Sequence, residues 1–150
     1  MSTSELVAWG ENLIDCSVPG MGVELPIPAV QADVTRDGTK DVIVSLECVT
    51  GDASSFSHVV ALDGASSSDR PEIIELLIEL PKGKDYRRLI ATGLKVRKVS
   101  VDENSITIVS DKWRNMDSKA CPSLRRVDVF GITGNGLKAE KPLVVEKMEC

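Results

Sequence analysis

Asp41-Val42-Ile43-Val44-Ser45-Leu46-Glu47-Cys48-Val49 is the stretch that decides how this 150-residue chain is read. Val42, Val44, Leu46 and Cys48 fall on one side of an extended backbone, with Ser45 and Glu47 on the other. That is the period-two alternation of a half-buried strand. The turn dipeptide Asp37-Gly38 announces it. On this placement Cys48 is a core thiol, because a buried free cysteine behaves as a small hydrophobe.

Similar runs extend outward in both directions. Ser57 to Leu62 places His58, Val60 and Leu62 on one face and ends at Asp63-Gly64. Pro71 to Leu80 suits a helix capped by Asp69, or a strand with Ile74, Leu76, Ile78 and Leu80 inward. The strand is favoured because Pro71 and Pro81 leave only nine residues between them. Leu94–Val101 and Ser105–Ser110 read as a hairpin around Asp102-Glu103-Asn104. Val99 and Val101 are out of phase with Leu94 and Val96, which predicts a β-bulge at Arg97-Lys98. The same reasoning predicts a second bulge at Arg125-Arg126, between Leu124 and the pair Val127 and Val129. Leu143 to Glu146 reads as a closing strand. Upstream, Met1 to Leu13 suits a short helical turn, Pro19 to Gly22 is a turn cluster, and Pro26 and Pro28 impose extended or edge geometry. The expectation is one all-β domain over 1–150, an antiparallel β-sandwich of six to eight strands with at most one or two short helices.

Composition agrees with this and narrows the function classes. Aromatics make up only 3%, so the core is built from Val, Ile and Leu, which suit a pleated surface. A net charge of -5 argues against nucleic acid and anionic membranes as partners. No apolar run is long enough to span a bilayer, and no secretory leader pattern opens the chain. Cys16, Cys48, Cys121 and Cys150 form no C-x-x-C pair, and His58 is the only histidine. Reduced thiols, a cytoplasmic location and no metal or other cofactor are therefore expected.

No nucleophile elbow, phosphate loop or zinc-protease motif is present. Gly131 to Gly136 reads as a glycine-rich turn, since no Lys-Ser/Thr follows it. Asp52, Asp63 and Asp69 lack the dense spacing of a calcium loop and read as turn carboxylates. Two features stand out. The segment from Lys82 to Lys98, with Arg87 and Arg88 at its centre, holds seven of the eighteen Lys and Arg residues and suits an acidic peptide or phosphate group. The second, Asp111 to Asp117, carries Trp113, Arg114 and Asp117. Its tryptophan either anchors a partner or folds back over the open end of the core.

Ala120-Cys121-Pro122-Ser123-Leu124-Arg125-Arg126-Val127-Asp128-Val129-Phe130-Gly131 resembles the closing strand of galactose-binding-like (discoidin or DOC-type) jelly rolls. The resemblance implies a non-catalytic binding module whose loops at one end of a jelly-roll sandwich meet a glycan, peptide or protein. Without disulfide-linked ends or an exposed aromatic spike, an intracellular protein or peptide partner is expected ahead of a glycan. The expected binding residues are Trp113, Arg114, Asp117, Arg87 and Arg88, with no catalytic residue. The alternatives are a small jelly-roll enzyme or lyase using His58 and loop carboxylates, a structural subunit, and a carbohydrate-binding module.

Overall fold

The computed structural model describes residues 5–6, 22–49, 55–67, 69–79, 93–114, 116–118 and 120–147, and the protein is all-β. Among these residues there are ten strands rather than six to eight: β1 (Gly22–Glu24), β2 (Val30–Ala32), β3 (Asp41–Val49), β4 (Ser55–Leu62), β5 (Ile73–Ile78), β6 (Leu94–Val101), β7 (Ser105–Lys112), β8 (Leu124–Thr133), β9 (Gly136–Ala139) and β10 (Leu143–Glu146). The additions are short strands next to turns. β9 returns from the glycine-rich turn, where Gly136 holds a φ of 116° that side chains disfavour. In the stretch read as a helical turn, Glu5 and Leu6 are helical.

Hydrogen bonding joins the strands into one sheet, ordered β1-β3-β4-β6-β7-β8-β10, with β2 also on β3, β5 on β4 and β9 on β8. The pairings are antiparallel except β4–β6, where Phe56 meets Leu94 in parallel. β4 joins the two halves of this order: Phe56 bridges to β6, while Val59 to Leu62 pairs with β5. Next to the parallel bridge, Val96 N donates to the Ser57 hydroxyl at 3.0 Å. A side chain thus replaces a ladder bond where the sheet bends.

The curl brings Ile43, Val59, Leu77, Ile108 and Phe130 of five different strands into one core. A second core covers the opposite side of β3 and β4, where Leu46, Cys48 and Val60 pack with Leu6 and Val23. β3 is therefore buried on both faces, and Ser45 and Glu47, read as solvent-facing, are enclosed. Lys95 Nζ stands 3.7 Å from Glu47 Oε1 and links β6 to β3.

Two readings of strand phase diverge from the structure. The bulge in β6 is present, with the register shifting between Val96 and Lys98. The bulge expected at Arg125-Arg126 is absent: β8 runs opposite β7 without a shift from Leu124 to Gly131. An ion pair explains the misreading. Arg126 and Asp128 are two apart on the core side of β8, and Arg126 holds both Asp128 oxygens, Nε to Oδ2 at 2.9 Å and Nη2 to Oδ1 at 2.8 Å. Polar residues thus occupy positions where the pattern expected apolar ones, and Val127 and Val129 point the other way. In β5 the strand is present, but Leu77 and Ile78 are buried and Leu76 is exposed, because the pairing with β4 shifts register twice.

Candidate functional site

The residues singled out in the sequence scatter. Trp113 is 8% exposed, and its backbone N–H donates to Gly93 O at 3.2 Å. It is the folded-back tryptophan, fixed at the start of β6. Asp117 is a loop clasp whose Oδ2 accepts from Arg114 N at 2.7 Å, Ser123 N at 2.9 Å and Ser123 Oγ at 2.7 Å. Those bonds hold its carboxyl below the usual range. Arg114 is exposed and pairs with Glu146 at the end of β10. Arg87 and Arg88 lie outside the described residues, as does Asp52.

His58 sits opposite Leu46 on β4, with its ring edge-on to Phe56 at a centroid distance of 5.5 Å. Burial pushes its pKa down to about 4, so the imidazole is neutral at pH 7. Asp63 belongs to a different carboxylate group from the one suggested by its sequence neighbours, approaching Asp37 and Asp41. Asp41 is wholly buried and saturated by the protein itself: Oδ2 accepts from Val34 N, Thr35 N and Thr35 Oγ1, and Oδ1 from Gly64 N. That arrangement latches two turns together.

Cys48 is buried as expected, but it and Cys121 are both disulfide-bonded, which corrects the reading of reduced thiols. A disulfide requires Cα atoms roughly 4.4–6.8 Å apart, a tertiary condition that sequence spacing cannot reveal.

A coherent surface emerges on the side of β6, β7, β8 and β10 turned away from the core. Directly opposed residues project to the same face. One row across the strands is Lys98, Val109, Val127, Leu143; the next is Lys95, Asp111, Arg125, Val145. Val109 and Val127 are half-buried, while Leu143 and Val145 are 60% and 41% exposed. An apolar stripe therefore crosses three strands and ends in the open on β10.

Its charges are lopsided. Asp111 is the one carboxylate these opposed rows place on the face, and two cations already hold it: Arg97 Nε at 2.7 Å and Lys147 Nζ at 3.0 Å. Lys98 and Arg125 make no ion pair among the described residues, and Lys138 of β9 joins the same side opposite Gly131. In a chain of net charge -5, this face is basic.

Sequence reasoning missed the face because the postulated slip in β8 turned Val127 and Val129 inward. Unbroken alternation, Arg125-x-Val127-x-Val129 against Arg126-x-Asp128-x-Phe130, would have found it.

Asp111 also yields a pH prediction. Burial opposes its charged form, but the hydrogen bonds and charges of Lys147 and Arg97 outweigh that and hold its carboxyl below the usual range. A lowered folded pKa contributes stability that is fully present above the unfolded value, about 3.9, and lost as pH falls through the folded one. Urea titrations of wild type and Asp111→Asn should differ by about 2 kcal/mol, constant from pH 5 to 8 and shrinking below about pH 4. A difference that grows on acidification would contradict the arrangement.

What fold and site define is an all-β protein with a basic, apolar-striped sheet face. Comparison with protein families, curated proteins and solved structures finds no match for the chain. Among the described residues, no helix is long and apolar enough to cross a membrane.

Proposed function

We propose that this protein is a non-catalytic binding module that captures a protein partner on the outward face of β7, β8 and β10. The observation that carries this reading is the cross-strand row Val109–Val127–Leu143, open at β10 and bordered by Lys98, Arg125 and Lys138. Apolar centres with a polar rim are the anatomy of protein interfaces. A track for nucleic acid would place its cations centrally, with aromatics for stacking; here the centre is aliphatic. Arg114, singled out in the sequence, pairs with Glu146, which alternates to the other side of β10 from Leu143 and Val145 and so lies off this face.

The curl that packs β3–β5 across one core from β6–β8 supports the sandwich-type architecture implied by the galactose-binding-like resemblance. For location, the disulfides at Cys48 and Cys121 favour an oxidising compartment over the cytoplasm. His58, neutral and buried within the sheet, gives the enzyme alternative no support.

A photo-crosslinking amino acid placed at Leu143, with another at Met116 as the exposed control, tests the site. In the native extract, the Leu143 probe should trap a discrete protein adduct that Arg125→Glu removes, and the Met116 probe should not. Equal trapping at both positions, or none at Leu143, rejects the face.

A further inference from the structure

Building on that protein-binding reading, we infer that the partner lays an amphipathic α-helix on this face, with its apolar stripe flanked by carboxylates. Three observations select that occupant.

The first is what the face offers. β7 pairs with both β6 and β8, and β8 pairs with β7 on one side and with β9 and β10 on the other. The backbone beneath Val109 and Val127 is therefore engaged in the sheet, and a partner lying over it meets side chains alone. The partner's own N–H and C=O groups, once covered, must be paired within the partner. A helix does this in one continuous segment, because each N–H bonds the carbonyl four residues back.

The second is spacing. Val109, Val127 and Leu143 are directly opposed on neighbouring strands and project to one side. Strands lie about 4.8 Å apart, so the row spans about 10 Å. Apolar residues at i, i+3 or i+4, and i+7 of a helix also span about 10 Å, at a rise of ~1.5 Å per residue. One helical contact per turn thus meets one apolar residue per strand.

The third is the distribution of charge. Arg125 lies two residues from Val127 on the same face, and Lys98 stands opposite Val109 at the β6 end of the row. Both are exposed, and neither has an ion partner among the described residues. Beside them, Arg97 and Lys147 share the single carboxylate of Asp111 and leave net positive charge. The other flank of the row differs. Thr107 and Val129 are uncharged, and Glu140, whose N–H donates to Val129 O at 2.9 Å, continues β9 there. On a helix, residues bordering the apolar stripe turn toward the same surface as the stripe. Carboxylates along one border therefore reach Arg125 and Lys98 while the stripe stays on the valines. In an extended segment, adjacent residues point to opposite sides, and carboxylates next to the apolar residues would leave the face.

The test titrates the full chain with four peptides, each about four helical turns long. The first is a side-chain-stapled helix with Leu on one stripe and Glu along one border. In the second, Lys replaces Glu. The third is a stapled helix with the same Leu and Glu residues scattered around its axis, and the fourth, unstapled, alternates Leu and Glu as a strand would. The first should bind, and each of the others should bind at least tenfold more weakly. Arg125→Glu should weaken the Glu helix at least tenfold and strengthen the Lys helix, and Leu143→Ser should weaken the Glu helix. Both positions are exposed, so circular dichroism spectra and Tm should stay close to wild type.

Equal binding of the scattered or the alternating peptide overturns the helix assignment. A Lys helix that binds wild type as tightly as the Glu helix overturns the charge assignment. If no helix binds while the Leu143 probe still traps a protein, the acidic helix is wrong and the face survives. If both fail, the binding reading itself falls.

Discussion

Replacing Gly64 with Ala is expected to lower the Tm by on the order of 10 °C, from a loss of about 4 kcal/mol. Gly64 follows β4 in the turn toward β5, where its backbone is pressed against the end of the β2–β3 connection. A Cβ there would overlap the Lys40 carbonyl oxygen, and would lie 2.6 Å from the Lys40 carbonyl carbon and 3.2 Å from Asp41 Cα. The obstacles are backbone atoms at the start of a strand buried on both faces, so no side-chain rotation relieves the clash. Either the turn shifts away or β3 does, and each breaks the hydrogen bond from Gly64 N to Asp41 Oδ1. Gly134→Ala is the control, since a Cβ there meets nothing within 4 Å. Thermal melts that find Gly64→Ala as stable as Gly134→Ala would show that the two turns are not in contact.

The second large effect is at Asp41, where substitution by Ala should cost about 3–5 kcal/mol. Its carboxylate is wholly enclosed and receives Val34 N at 2.9 Å and Thr35 N, Thr35 Oγ1 and Gly64 N at 3.0 Å. Four donors converge on one charged group, which binds the turn before β3 to the turn after β4. Deleting it strands the Val34 N–H inside the protein, where water does not replace the lost acceptor. Asp41→Asn keeps one acceptor but turns an amide N–H against another donor, so its cost should be smaller, about 2 kcal/mol. Hydrogen exchange supplies the specific readout: Val34, Thr35 and Gly64 amides should lose protection in Asp41→Ala before the centre of β7 does. Uniform loss across all strands would mean that the carboxylate stabilises the fold without organising these turns. The double variant with Gly64→Ala should cost less than the two singles added, because both disturb one contact.

These two residues were legible only in part. Asp37-Gly38 and Asp63-Gly64 were read correctly as turns from local chemistry. That the turns lie together, with Asp41 between them, depends on β3 and β4 pairing so that Val42 stands opposite Leu62. A carboxylate at the start of a strand looks like a solvated residue until the second turn arrives above it.

The candidate site shows the same division. Trp113, Arg114 and Asp117 were singled out because Trp and Arg are typical interface residues, yet the loop uses Trp113 and Asp117 to secure itself. The face that remains open is made of ordinary valines and lysines on four strands. None of them is unusual in its own sequence neighbourhood.

By itself, the sequence determined the all-β class, the hairpin of β6 and β7, the bulge at Arg97 and the closing strand at Leu143–Glu146. Each follows from alternation and turn residues within a few positions, where side-chain period and backbone φ, ψ are local properties. Only the tertiary structure decided that β3 is covered on both sides, that Arg126 and Asp128 form a pair on the core side of β8, that Cys48 and Cys121 are in disulfides, and that Val109, Val127 and Leu143 line up. A period of two separates a strand's faces but does not say which one is buried. That choice belongs to whatever packs against it, and here the partners come from segments tens of residues away.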